Sequence, residues 1–219
     1  MNIKGAIFDM DGTLVDSLMY WDYLWEALAQ KYSLGADFRP DPQTEKDVRT
    51  LTMNEGMHLL YERCGIGESG EELAKIAADL CEHFYLNVAR LKNGVREYLS
   101  YLKSNGVKMC IASAATRPFI ELALGALGIA DYFLEIISCE EVGCGKEHPD
   151  VYICAHEFLG TPKDETWIFE DSVVAVETAV AAGYNTVGIY DKYNFNHDRV
   201  KEISTVYIAE GETLLKLAT

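Results

Sequence analysis

Gly5-Ala6-Ile7-Phe8-Asp9-Met10-Asp11-Gly12-Thr13-Leu14-Val15-Asp16-Ser17 is the stretch on which the fold turns. Ala6-Ile7-Phe8 is a short apolar run ending on an acid, the pattern of a buried strand that delivers an Asp to its carboxyl end. Asp9 and Asp11 stand two apart, so they share a face while the chain stays extended. Gly12 lets the backbone turn sharply away. Such a pair can bind a hard cation through oxygen, or divide the work between a nucleophile and an acid/base group. Alone, Asp-x-Asp-Gly reads equally as a solvated turn, because Asp and Gly favour turns. The apolar strand before it and Thr13-Leu14-Val15-Asp16 after it favour a site.

Outward from this stretch, Asp16-Ser17 is placed to cap a helix carrying Leu18, Trp21, Leu24, Trp25 and Leu28 at helical spacing. A second helical pattern covers 44–64 and a third 71–91. Beyond that, strands alternate with helices. Helix 95–104 precedes a strand over 107–112 that ends at Ser113, and Pro118 suits the first turn of the next helix. Strand 135–138, helix 150–158 and strand 166–169 follow, the last ending at Glu170-Asp171. Helix 172–182 stops at Gly183. Strands over 186–190 and 205–208 and a short C-terminal helix complete the chain. Alternation of this kind predicts an α/β fold, a Rossmann-like doubly wound parallel sheet. The helical block lies between the first strand and the next, so it is an insertion. The expected domains are a catalytic core of 1–14 and 92–219 and an all-helical cap of 15–91.

The 219 residues are 49% hydrophobic and 25% charged, ordinary values for a globular chain. The formal charge is -16, from 19 basic and 35 acidic residues. Long-range repulsion therefore opposes binding to nucleic acid or to an anionic membrane. It also opposes phosphorylated ligands, so any phosphate site has to be locally positive. The six cysteines include no C-x-x-C pair, and the spacing of Cys139, Cys144 and His148 fits no common zinc pattern. Met1-Asn2-Ile3-Lys4 runs directly into the first strand, which reads as no signal peptide, and a reducing cytoplasm is the expected location.

Four polar clusters fall at predicted strand ends or in nearby loops: Asp9-x-Asp11-Gly12-Thr13, Ser113, Lys146 and Glu170-Asp171. In parallel sheets, ligands bind outside the carboxyl ends of the strands. Taken singly, Ser113 reads as a helix cap, Lys146 as a solvated lysine and Glu170-Asp171 as helix N-terminal charge. Their convergence on one sheet edge gives them a shared purpose.

Together, Phe8-Asp9-Met10-Asp11-Gly12-Thr13-Leu14-Val15-Asp16-Ser17, Ser113, Lys146 in Gly145-Lys146-Glu147-His148-Pro149-Asp150, and Phe169-Glu170-Asp171-Ser172 resemble the four motifs of the haloacid dehalogenase-like hydrolase superfamily. The inserted helices resemble the small cap of the branch with phosphoglycolate phosphatase-like and β-phosphoglucomutase-like enzymes. One departure is Glu147, where the family often has Pro after the Lys.

The resemblance implies a Mg²⁺-dependent phosphatase acting through an aspartyl phosphate. Asp9 is then the nucleophile and Asp11 the acid/base. Mg²⁺ is held by Asp9, by Asp11 through its backbone carbonyl, by Asp171, and by Glu170 directly or through water. Ser113, the backbone amide near Ala114, and Lys146 hold the transferring phosphoryl oxygens, which supplies the local positive charge. Asp11 argues against dehalogenation and phosphonate hydrolysis, whose enzymes lack the second Asp. A β-phosphoglucomutase-like mutase is the alternative, although Trp21 stands where its relatives carry a cap histidine. A non-catalytic scaffold is a further alternative. Arg49 and Arg117 are candidate substrate contacts, each equally readable as a surface arginine, and Trp21 is a third candidate. The expected partner is a small phosphate ester. The oligomeric state is left open, and a monomer is compatible with the sequence.

Overall fold

In the computed structural model, which describes residues 2–218, β1 (Gly5–Phe8) is buried along its whole length. It takes neighbours on both sides, pairing in parallel with β4 (Lys108–Ser113) and β6 (Thr166–Glu170). A strand covered on both faces has no alternation to keep, and Gly-Ala-Ile-Phe has none. Outside β4 lies β5 (Ile136–Ser138), and outside β6 lie β7 (Asn185–Ile189) and β8 (Val206–Ile208). The described residues thus form a six-stranded parallel sheet of order β5-β4-β1-β6-β7-β8. Strand order reverses beside β1, so the switch-point crevice of a doubly wound sheet opens where β1 and β6 end.

Phe8 closes β1, and Phe169 is the penultimate residue of β6. They sit in register across the ladder, and their rings stack with centroids 4.2 Å apart. A pair of this kind contributes about 0.5–1.5 kcal/mol beyond its burial. It also fixes the spacing of the next residues, Asp9 and Glu170. One sheet face packs on α8 (Asp150–Leu159) and α9 (Val173–Ala181) through Ile7, Cys110, Ile168, Val151, Tyr152, Ala155 and Ala175, all fully buried.

By contact density the chain divides into two compact units, one running through Leu18 and resuming at Ala89, the other Met19–Val88. The second unit is all helical: α1 (Tyr20–Tyr32), α2 (Pro42–Thr50), α3 (Met53–Cys64) and α4 (Gly70–Asn87). Tyr20, Leu24, Trp25 and Leu28 make the buried stripe of α1, and the Tyr20 hydroxyl donates to the Ala77 carbonyl of α4 at 2.7 Å.

Several local expectations change. The helix predicted over 44–64 is two helices, because Leu51 is extended and Thr52 with Glu55 forms a capping box that starts α3. The helix predicted over 71–91 stops at Asn87, and β3 (Arg90–Leu91) pairs antiparallel with β2 (Val15–Asp16). Asp16-Ser17 caps nothing: α1 begins at Tyr20 behind Met19, without a side-chain cap. Helices α5 (Val95–Ser104) and α6 (Arg117–Ala126) lie where the pattern placed them. Two short helices escaped it, α7 (Cys139–Val142) and α10 (His197–Ile203). The second buries only Val200, too little for periodicity to register. The predicted C-terminal helix is a four-residue 3₁₀ turn, Leu214–Leu217. Among the described residues, no helix is long and apolar enough to cross a membrane.

Candidate active site

The turn after β1 is built around one carbonyl. Met10 O accepts from Leu14 N and Val15 N, both at 2.9 Å, and Gly12 N donates to Val15 O at 2.9 Å. Met10, Leu14 and Val15 are fully buried and anchor the loop on its apolar side. Gly12 has φ +79°, and a Cβ there would lie 2.2 Å from Asp171 Oδ2. The backbone at residue 12 therefore has to be bare, both for its conformation and for the close approach of Asp171.

Asp9, Glu170 and Asp171 come together at the β1/β6 crevice. They are 6%, 1% and 4% exposed, and one carboxylate oxygen from each lies within 4.8 Å of the others. Lys146 arrives on the loop after α7, where Gly143 ends the helix in the left-handed conformation. Its ammonium bonds both Asp9 Oδ1 and Glu170 Oε1. Tyr152 donates to the same Glu170 oxygen at 2.9 Å, and Glu170 Oε2 accepts from Asp171 N at 3.2 Å. Thr13 Oγ1 donates to Asp171 Oδ1 at 2.9 Å, and Asn194 Nδ2 donates to Asp171 Oδ2 at 2.5 Å. Asp11 accepts from Ser17 Oγ at 2.6 Å, and its carboxylate is outside the group of three.

Ser113 ends β4, one strand over from β1, and is buried, while Ala114 after it is exposed. The Ser113 hydroxyl accepts from Ala115 N at 3.2 Å. Arg117 is not brought to the carboxylates by any of its bonds. Glu141 (2.5 and 3.1 Å), Glu135 (3.1 Å) and the Ile136 carbonyl (2.5 Å) engage its guanidinium. Trp21 and Arg49 belong to the Met19–Val88 unit, where the guanidinium carbon of Arg49 sits 6.0 Å from the Trp21 ring centroid.

Charge balance follows from this geometry. Burial pushes the Asp9 carboxyl well above the usual range; Lys146 pulls it back, while Glu170, Asp171 and Asp11 push it further up. Asp171 is pushed up to about 7, chiefly by burial and then by Glu170, against the pull of Lys92. Burial works against a charged Lys146, but Asp9 and Glu170 overcome it and hold the ammonium above its ordinary value. One ammonium thus serves a nest of acids that it cannot neutralise. The donors are all oxygen, buried and close together, which is the chemistry of a hard divalent cation. Asp9, Glu170 and Asp171 are the residues that can hold it.

Sequence reasoning missed Tyr152, Asn194, and the Lys92–Asp191 pair whose charged atoms are 2.8 Å apart. Asp191 was within reach of it, because an acid following the strand of 186–190 falls on the same sheet edge as Asp9. Nothing in Lys92-Asn93-Gly94 distinguishes it from a surface turn.

The haloacid dehalogenase-like hydrolase family model matches residues 3–183. The chain is 26% identical to the phosphorylated carbohydrates phosphatase of Thermotoga maritima, over 98% of each protein. It is 30% identical to the phosphoglycolate phosphatase of Pectobacterium atrosepticum, over 92% of this chain and 86% of that one. The crystal structure of β-phosphoglucomutase from Clostridium difficile superposes with a TM-score of 0.73 at 20% identity, over 94% of this chain and 91% of the other.

Proposed function

The chain belongs to the haloacid dehalogenase-like hydrolase family, in its phosphoglycolate phosphatase- and β-phosphoglucomutase-like branch, and on that premise we propose that it is a magnesium-dependent phosphatase of small organic phosphate monoesters. The observation that carries the proposal is the buried set of Asp9, Glu170 and Asp171 with the Lys146 ammonium bridging two of them. The carboxylates of Asp9, Glu170 and Asp171, with the backbone carbonyl of Asp11, would hold Mg²⁺. When bound, the ion offsets the repulsion between carboxylate and phosphate and polarises the phosphoryl oxygens.

The protein groups divide the remaining work. Asp9 attacks phosphorus in line, forming the Asp9–phosphorus bond as the bond to the leaving oxygen breaks. Asp11 gives that oxygen its proton. It then takes a proton from water, which attacks phosphorus, breaks the Asp9 linkage and releases phosphate. Lys146 and the Ser113 hydroxyl, with the backbone amide at Ala114, steady the transferring oxygens. The Ser17 hydroxyl donates to Asp11 Oδ1, a carboxylate outside the cluster of three, which supports this division.

Phosphatase is preferred to mutase because Trp21, near the start of α1, offers no titratable nitrogen for a proton relay. The similarity to a phosphatase of phosphorylated carbohydrates makes sugar phosphates the first substrates to try. The test is phosphate release from p-nitrophenyl phosphate and from a panel of phosphorylated metabolites, with and without Mg²⁺. Turnover has to require the metal and vanish in Asp9→Asn. A wild type and Asp9→Asn of equal activity would remove Asp9 from the mechanism. Conversion of β-glucose 1-phosphate to the 6-phosphate without free phosphate would move the enzyme to the mutases.

A further inference from the structure

Arg117 opens α6, directly after the 114–116 loop that leaves Ser113. Its bonds run to the neighbouring strand and helix. Nε and Nη2 donate to the two oxygens of Glu141, at 2.5 and 3.1 Å. A two-point fork of this kind fixes orientation as well as distance. Nη2 also donates to the Ile136 carbonyl at 2.5 Å, and Nη1 donates to Glu135 Oε1 at 3.1 Å. The guanidinium thus grips the start of β5 and the body of α7 together.

Glu141 has a second task. Its Oε2 accepts from Ser138 N at 3.1 Å, and the Ser138 hydroxyl accepts from Glu140 N at 3.2 Å, so the two residues form the capping box that starts α7. Ser138, fully buried, donates its own hydroxyl hydrogen to Ala115 O at 2.8 Å. Ala115 N donates to the Ser113 hydroxyl at 3.2 Å, and Ser113 and Ser138 are register partners on β4 and β5. One carboxylate and one hydroxyl therefore join the loop after β4 to the base of α7. That helix has only four residues, too few to be stable by itself, so its direction is set by what grips it. Three residues past its stop at Gly143 comes Lys146, whose ammonium bonds Asp9 and Glu170.

We infer that Arg117 is a positioning residue: by forking Glu141 it holds α7 in register with the 114–116 loop, and so sets the spacing between Lys146 and the Ser113 hydroxyl. This rests on the reading of Ser113 and Lys146 as the groups that steady the transferring oxygens. Two groups that serve one set of oxygens act together at one separation, and they matter most in the transition state, where the charge shifts. Loss of the fork is then felt in kcat and hardly in KM.

The test is turnover of p-nitrophenyl phosphate at saturating Mg²⁺ by wild type, Arg117→Ala, Glu141→Ala and the double variant. Arg117→Ala lowers kcat by about ten- to a hundredfold, the cost of a misplacement near 1 Å, and leaves KM within about threefold. Inhibition by orthovanadate, a mimic of five-coordinate phosphorus, weakens by the same factor as kcat. Glu141→Ala loses at least as much, and the double variant is no worse than Glu141→Ala. Arg199→Ala removes another exposed arginine with two acid partners, Glu177 and Glu202, and leaves the kinetics unchanged. Should circular dichroism show Arg117→Ala unfolded, Arg117→Lys, which keeps the charge without the fork, carries the test by a loss of kcat at constant KM. Wild-type kcat in the folded variant overturns the inference. So does a loss confined to KM, which makes Arg117 a substrate contact. Full additivity with Glu141→Ala overturns the route through Glu141. A wild type that releases no phosphate overturns the phosphatase reading itself, and this inference with it.

Discussion

A single methyl group at Gly12 should disable the site without unfolding the protein. Gly12→Ala meets two obstacles. At φ +79° an L-residue pays about 1–2 kcal/mol for its left-handed backbone. The new Cβ also falls 2.2 Å from Asp171 Oδ2, 2.8 Å from its Cγ and 2.9 Å from Leu18 Cδ1. Reaching ordinary contact needs a displacement of about 1 Å, and Asp171 has to supply most of it. The hydrogen bonds from Thr13 and Asn194 cannot both follow, and each bond to a charged group contributes about 1.5–3 kcal/mol. An error of this size at a reacting centre costs about 10²-fold in rate. Gly12→Ala is therefore expected to melt a few degrees below wild type, to need about ten times more Mg²⁺ or greater, and to lose about two orders of magnitude in kcat. Circular dichroism melts with and without Mg²⁺, together with metal-dependent turnover of p-nitrophenyl phosphate, measure all three. A folded Gly12→Ala with kcat and Mg²⁺ half-saturation within twofold of wild type would refute the close approach on which this reasoning depends.

Lys146→Met strips the ammonium that bonds both Asp9 and Glu170; it should destabilise the metal-free protein by about 3–5 kcal/mol in urea unfolding, with a smaller loss when Mg²⁺ is bound. Asp11→Asn leaves the buried cluster intact but removes the proton donor, so kcat should fall about 10²–10⁴-fold with Mg²⁺ affinity nearly unchanged; a parallel loss of metal binding would argue against separate roles. The Asp171 carboxyl, at about 7 when folded against an ordinary 3.8, keeps a proton that the unfolded chain has released. Stability from this group is thus present below about pH 4 and lost as pH rises to about 7, a cost of a few kcal/mol. Melts in EDTA between pH 4.5 and 8 should show this decline relative to Asp171→Asn, and saturating Mg²⁺ should abolish the difference.

What could be read from the sequence was whatever an apolar strand announces. Ala6-Ile7-Phe8 and Trp167-Ile168-Phe169 each run into an acid, so the positions of Asp9, Glu170 and Asp171 at one edge follow from strand direction alone. Lys146 has no such announcement; only its spacing within a recognised motif marked it, and the structure brings its ammonium to Asp9 and Glu170. Asn194, Asp191 and Lys92 were silent for a different reason. They occupy turns, where polar residues are the default, and their roles arise from contacts between segments about 20 to 100 positions apart in the chain. The two-residue strands β2 and β3 are too short to show a period. The break between α2 and α3 was hidden because Leu51 fits a helical repeat although its backbone is extended.

The pairing of Asp16 with Arg90 has a consequence for the lineage of such proteins. Neighbours across an antiparallel ladder lie about 5 Å apart, so the polypeptide departs and returns through almost the same point. Any segment whose own termini meet at that spacing can be spliced in there, and the six parallel strands need not change register to receive it. Recombination can therefore trade the residues between 16 and 90 for another module in one event, while the acids at the ends of β1 and β6 are inherited untouched. The helical unit and the acids of the sheet edge are then free to change on separate clocks, joined by a clasp four residues in size.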